Sequence, residues 1–123
     1  MIQLTPRYKI YEENSILHLI FHESSIITYD DAITFEQQIK SIKAKNQIRL
    51  VDIRAQFTIN EKAKHYLESS KTKAKILAQG ILVGANTNQI NLDFYQGMNC
   101  KKTEIKIFVN YDVAIEWLSL FKS

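Results

Sequence analysis

The sequence predicts an α/β fold with a mixed sheet, its elements in the order β-β-α-β-α-β-α-β-α. Three observations carry this. β-prone runs alternate with segments whose apolar residues recur every three or four positions, and capping residues stand in front of those segments. The run Ile48 to Leu67, IRLVDIRAQFTINEKAKHYL, reads as a buried strand, a short turn and the capped start of a helix. Alternation of this kind builds a parallel core, because a right-handed helical crossover returns each strand beside an earlier one.

Tyr8 to Glu12 and Ser15 to Phe21 are β-prone runs separated by Glu13 and Asn14, and Asn tolerates the positive φ of a two-residue turn, so an antiparallel hairpin opens the sheet. Thr28-Tyr-Asp-Asp31 has the form of a capping box, and Ala32, Phe35, Ile39 and Ile42 then line one helical face. Ile48 to Ile53 is a short strand. Thr58-Ile-Asn-Glu61 offers a second capping box ahead of a helix with Ile59, Ala63, Tyr66, Leu67 and Ser70 on one side. Within Ile76 to Ala85 the second half reads as a buried strand whose glycines permit close backbone approach, bounded by Asn86-Thr-Asn88. Ile90, Phe94, Tyr95 and Met98 form a third helical face ending near Gly97 and Asn99. Thr103 to Val109 is the last strand, and Asn110 is a good N-cap for a helix carrying Val113, Ala114, Trp117, Leu118 and Phe121 on one side.

A chain of 123 residues, 46% hydrophobic, fits one domain over residues 1–123, with no repeat or Pro/Ser-rich linker to mark a boundary. Its 16 basic and 13 acidic residues leave a formal net charge of +3, mixed too evenly for the field that neutralising many nucleic-acid phosphates requires. Nucleic acid is therefore not an expected partner. One cysteine, Cys100, allows no intramolecular disulfide, and MIQLTPRYK lacks the apolar core of a secretory signal, so a cytoplasmic protein is expected. Apolar runs such as Ile16 to Phe21 fall far short of the roughly 20 residues of a membrane span.

The order of elements, the strand-Asp-turn-helix from Leu50-Val-Asp-Ile53 through Glu61, and the ending Ile105-Lys-Ile-Phe-Val-Asn-Tyr-Asp-Val-Ala-Ile-Glu-Trp-Leu118 resemble small bacterial STAS-like, or SpoIIAA-like, proteins. The resemblance spans nearly the whole chain and implies a βα superhelix with a mixed sheet. It also implies a binding switch rather than an enzyme, since the group includes anti-sigma-factor antagonists, in which a kinase phosphorylates a serine at the start of the helix after the equivalent strand. Here Val51-Asp52-Ile53-Arg54 matches the strand end, Asn60 falls where the family has Asp, and Glu61 and Lys62 fall where the serines would be. The phosphoacceptor is missing. A glutamate near a helix N-terminus is favoured by the macrodipole but brings about half the charge of a phosphate.

The expected function is thus a non-enzymatic protein-interaction module, regulatory or scaffolding, with an unidentified protein as partner. The loop from Arg54 to Asn60 and the first turn of its helix form the expected surface, at the carboxyl end of a parallel strand where open α/β sheets place ligands. Arg54 and Gln56 are expected as exposed contacts, Thr58 as a cap whose hydroxyl is engaged, and Asn60 and Glu61 as first-turn contacts. Asp52 is expected to bond loop amides. Phe57 has two readings, a core plug or an exposed anchor. The alternative is a small apolar-ligand or lipid-binding protein of the Sec14-like kind related to this fold, with Phe94, Tyr95, Met98, Trp117 and Phe121 lining a pocket.

Other residue patterns weaken under geometry. His18 and His22, four apart on a strand at ~3.3 Å per residue, lie about 13 Å apart and cannot share an ion; both read as surface residues. His65 has no ligand partner at helical spacing. Cys100, beside Lys101 and Lys102, has no base to make it a nucleophile. Asp30 and Asp31 suit the positive end of a helix better than paired acid-base work. Gly80-Ile-Leu-Val-Gly84 lacks the third glycine of a dinucleotide fingerprint and the lysine of a P-loop. No metal and no cofactor are expected. Lys62, Lys64, Lys71, Lys73 and Lys75 read as a solvated basic face. A sheet that begins with a hairpin leaves an edge strand, so a homodimer is a further expectation.

Overall fold

The structure, a computed structural model, describes residues 2–4, 7–41, 46–69, 75–97 and 103–122. The hairpin that opens the sheet joins β2 (Tyr8–Glu13) to β3 (Ile16–Phe21), and β1 (Ile2–Leu4) pairs antiparallel with β2 on its outer side. Its turn is Asn14-Ser15, with φ of 52° and 66°, one residue later than expected. Both central residues of this tight turn need positive φ, and a short polar Ser15 meets that better than Glu13, which stays extended opposite Ile16.

The chain continues through β4 (Ile26–Ile27), α1 (Tyr29–Ser41), β5 (Asn46–Asp52), β6 (Thr58–Ile59), α2 (Glu61–Ser69), β7 (Lys75–Leu82), α3 (Gln89–Gly97), β8 (Glu104–Phe108) and α4 (Tyr111–Ser119). The α/β alternation holds, with β1, β4 and β6 added to the expected order. These three are two or three residues long, too short for an alternating pattern to show. Ile42, Ser70, Met98, Asn99 and Cys100, and the lysines at 71 and 73, lie outside the described residues.

The six-stranded sheet runs β1-β2-β3-β5-β7-β8, with β3, β5, β7 and β8 mutually parallel. Each crossover therefore adds its strand on the same side of the last one. Right-handed crossovers that never reverse direction leave their helices on one face. Ala32, Phe35 and Ile39 of α1, Ala63 of α2, and Phe94 and Tyr95 of α3 accordingly share one buried cluster with Tyr8, Leu19, Phe21, Val51 and Ile81. α4 follows the last strand and closes no crossover. It takes the opposite face, where Ala114 and Leu118 pack on Ile16, Ile48, Leu50, Ala78, Leu82 and Phe108.

Gly80 lies under this helix. A methyl group there would reach Leu118 Cδ1 at 3.4 Å and Leu50 and Phe108 at 3.5 Å, ordinary contact with little space to spare. Gly84 lies beyond β7. Ile90 and Val113, expected on buried helical faces, are exposed at 61% and 53%. In α3 the buried place goes to Asn91, whose Nδ2 donates to the Phe57 carbonyl at 2.8 Å and so tolerates burial.

The first capping box forms as expected. Asp31 N donates to Thr28 Oγ1 at 3.2 Å, and Thr28 N donates to Asp31 Oδ2 at 3.0 Å. Arg7 then closes on the same carboxylate, Nε and Nη2 each donating at 2.7 Å. The start of β2 is thereby clipped to the start of α1.

His18 departs from expectation most. It is buried, not a surface residue: its ring stacks on Tyr11 with centroids 4.6 Å apart, its Nδ1 lies 3.0 Å from the Ile16 carbonyl, and its Nε2 lies 3.0 Å from the Tyr111 hydroxyl. A carbonyl only accepts, so Nδ1 carries the proton and Nε2 accepts from Tyr111. The N-terminus of α4 is tied to β3 through a neutral imidazole.

Replacing Asp31 by Ala removes acceptors from both Thr28 and Arg7, and stability should fall by about 1–3 kcal/mol in urea unfolding at pH 7. Burial pushes the Asp31 carboxyl up, but the bonds from Arg7 and Thr28 outweigh it and hold it below its usual range. Its contribution is therefore present above the unfolded value of roughly 3.9 and is lost as pH falls through the folded one. His18 runs the same way for a base: burial lowers its pKa, against weaker upward pulls from the Ile16 carbonyl, Glu13 and Asp52. The unfolded chain then binds more protons below about pH 6.5, so this stability is complete above that pH and declines toward the lowered folded value. Unfolding midpoints of wild type and His18→Gln from pH 8 to pH 5 should converge on acidification, since the variant lacks that proton uptake.

Candidate functional site

The loops that follow β3, β5, β7 and β8 lie along one end of the parallel strands. The one after β5 carries the residues that the sequence singled out. Asp52, at the strand's end, accepts from Arg54 N at 3.1 Å, from Arg54 Nε at 3.1 Å and from Arg54 Nη2 at 2.8 Å, so it bonds a loop amide as expected and also holds the side chain of Arg54. Those bonds keep the guanidinium above its ordinary pKa. The stem of Arg54 passes Gly84, where a Cβ would meet its Cγ at 3.4 Å. Arg54 remains half-exposed, with its orientation set by a carboxylate beneath it.

The rest of the loop is zipped to the loop after β3. Ser24 N donates to the Gln56 carbonyl at 2.6 Å, Gln56 N to Glu23 Oε2 at 3.0 Å, Thr58 N to the Ser25 carbonyl at 2.9 Å and Asn60 N to the Ile27 carbonyl at 3.0 Å. Between these bonds β4 and β6 form a two-residue parallel pair. Thr87 Oγ1 donates to the Ile53 carbonyl at 2.9 Å and ties in the loop after β7. The segment is thus bonded to both neighbouring loops through backbone groups on either side of Phe57.

This zipper overturns the second capping box. Pairing with β4 holds Thr58 and Ile59 extended, so the helix begins two residues later. Asn60 is the cap, its Oδ1 accepting from Ala63 N at 3.1 Å and its carbonyl from Lys64 N at 3.0 Å. Thr58 is an exposed strand residue whose hydroxyl caps nothing. Glu61 becomes the first helical residue, exposed with Lys64 Nζ at 3.5 Å, and Lys62 Nζ lies over the Tyr29 ring at 4.6 Å.

Phe57 resolves to the core plug. It is 3% exposed and stacks on Phe21 with centroids 4.4 Å apart, so it supports the loop from below and is no surface anchor. Arg54, Gln56, Thr58, Asn60 and Glu61 all reach solvent. The segments after the neighbouring strands carry further exposed side chains. Among the described residues seven large apolar side chains are exposed, and five of them lie beside these strand ends: Ile26 after β3, Ile90 after β7, and Val109, Tyr111 and Val113 after β8. Ile90 and Val113 were hidden because helical spacing placed them on inward faces.

The winding of the sheet changes the positional argument. Ligands of open α/β sheets sit in the crevice formed where strand order reverses. This sheet never reverses. The rim is a band of bonded loops that carries fixed polar groups, interspersed apolar side chains and two carboxylate-held guanidiniums, Arg54 on Asp52 and, beside the end of β3, Arg7 on Asp31. No three His, Cys, Asp or Glu side chains gather in a metal-binding group among the described residues. No helix among them is long and apolar enough to cross a membrane.

Buried polar groups elsewhere do not join the rim. Arg49 Nε and Nη2 donate to Gln47 Oε1 at 2.9 and 2.7 Å in the early part of β5, and Gln79 is Arg49's neighbour on β7. They face the three-helix side, where burial raises the Tyr95 hydroxyl above its ordinary pKa.

The chain superposes on the crystal structure of an uncharacterized protein from the DUF3478 family, with a SpoIIAA-like fold, from Shewanella loihica PV-4. The match has a TM-score of 0.55 and 17% sequence identity, and covers 90% of this chain and 91% of the other. The fold is therefore SpoIIAA-like, as the element order and the Leu50–Ile53 and Ile105–Leu118 segments suggested. No curated protein matches the chain. Residues 10–122 match the domain of unknown function DUF7793, and the chain belongs to that family.

Proposed function

We propose that the protein is a non-enzymatic interaction module, regulatory or scaffolding in role, that docks another protein through the rim at the carboxyl ends of β3, β5, β7 and β8. The observation that carries this reading is that Ile26, Ile90, Val109, Tyr111 and Val113 are exposed in the segments that follow β3, β7 and β8, at the same end of the sheet as the exposed Arg54, Gln56, Thr58, Asn60 and Glu61 that follow β5. Apolar side chains interspersed with fixed polar groups on a rigid frame suit protein association, where a few anchors supply most of the energy. A cytoplasmic setting fits the single cysteine.

Regulation by a phosphoserine at the start of α2 is not part of the proposal, because Glu61 and Lys62 occupy those positions. The surface is read as constitutive. The apolar-ligand alternative is not the favoured reading, since Phe94 packs on Tyr95 at 5.2 Å, Tyr95 on Phe21, and Trp117 on Phe108 and Phe121. Phe94 and Tyr95 belong to the larger core, and Trp117 and Phe121, partly buried, pack against the smaller one.

A photo-crosslinking residue at Ile26 or Ile90 should capture a protein in the native host, while the same residue at Glu116, exposed on α4, should not. With that partner purified, Ile90→Ser combined with Arg54→Ala should weaken binding by about tenfold or more, in calorimetric titration of variants shown to fold. Capture at Glu116 but not at the rim, or unchanged affinity, would sink the reading.

A further inference from the structure

The sheet edge at β8 carries its own complement. Val83 N donates to the Phe108 carbonyl at 2.8 Å, so Phe108 turns its backbone toward β7. Backbone direction alternates along a strand, so Glu104 and Lys106 also face β7, while Ile105 and Ile107 turn their N–H and C=O groups to the open edge. No strand pairs with that edge among the described residues. Thr103 Oγ1 donates to the Ile76 carbonyl at 2.6 Å, which holds the residue before β8 in line with it. Ile107 is 39% exposed and Ile105 half-buried, and the strand carries no Pro to deter pairing.

We propose that β8 pairs antiparallel with β8 of a second copy of this chain, about a two-fold axis through Ile105. Side-chain chemistry selects this register. An axis through Ile105 sets Ile105 opposite Ile105, Thr103 opposite Ile107, and Glu104 of each copy opposite Lys106 of the other. The residues with outward backbone groups then form the hydrogen-bonded pairs, and the Glu–Lys pairs fall at the closer spacing of about 4.5 Å between Cα atoms. Moving the axis to Lys106 sets two lysines face to face at that spacing, which is repulsive. Moving it to Ile107 sets Lys106 opposite Phe108 and extends the pairing to Asn110, whose side chain already caps α4 through Val113 N. The opposite charges two residues apart thus favour the register about Ile105, the one that sets both Glu–Lys pairs opposite each other. This seam lies on the side of the sheet and does not depend on the rim being a docking surface.

Sedimentation velocity on the full chain between about 1 and 100 μM should show a species of twice the 14.3 kDa chain mass. Glu104→Lys or Lys106→Glu alone should weaken association by about tenfold or more, and the double exchange should restore it to within about threefold, because the two pairs are simply reversed. Both side chains are exposed, so circular dichroism should report intact folding. In a Cys100→Ser background, Ile105→Cys should oxidise to a covalent dimer, since residues of a hydrogen-bonded pair lie about 5.5 Å apart, within disulfide reach. A monomer across the range, a dimer indifferent to the single reversals, a double exchange that fails to rescue, or a dimer that does not cross-link at position 105 would each overturn the proposal.

Discussion

The single direction in which the sheet is wound governs the rest of this molecule. Three right-handed crossovers each place their strand on the outer side of the last, so α1, α2 and α3 must share a face. The other face is left for α4, the one helix free of a crossover. Two different cores follow. The larger is rich in aromatic side chains and takes three helices; the smaller closes around Leu118 over Gly80. The same winding removes the reversal point at which doubly wound sheets open a crevice, so the strand ends are built as a surface.

That surface owes its rigidity to bonds between neighbouring loops. The loop after β5 is bonded to the loop after β3 by four backbone groups, to the loop after β7 by Thr87 and to α3 by Asn91, and Phe57 fills the space beneath. A rigid surface loses little conformational freedom when it is covered, which leaves more of its contact energy for affinity. Asp52 serves the same end for Arg54, since a long side chain already held by a carboxylate has less rotamer freedom to lose.

Sequence patterns revealed the long elements and the first cap, because those depend on interactions between near neighbours. Thr28 and Asp31 are three residues apart, and their box formed as read. Thr58 and Glu61 have the same spacing and did not form one, because β4, some thirty residues upstream in the chain, holds Thr58 and Ile59 in a strand. Local pattern cannot report a partner that distant. The same reason explains His18. Its stacking on Tyr11 follows once the turn is placed at Asn14-Ser15, but its bond to Tyr111 joins residues 93 apart. On the candidate surface the polar residues were legible from their place after a strand. Ile90 and Val113 were not, since helical periodicity cannot say how wide a stripe the neighbouring sheet will cover.

Rim and edge are geometrically independent, and together they constrain how such a molecule would act. The rim lies at the strand ends and the β8 edge lies along a strand, so occupying one leaves the other open. An antiparallel seam reverses strand direction across the two-fold axis, and the rims of two joined copies would then point to opposite ends of one continuous sheet. Such an assembly holds two partners apart at a fixed spacing, as a scaffold does, whereas a switch needs an equilibrium that a signal can bias. On the proposed docking and pairing, Glu61 and Lys62 at the positions of a phosphoacceptor and a loop bonded to its neighbours on both sides favour holding over switching.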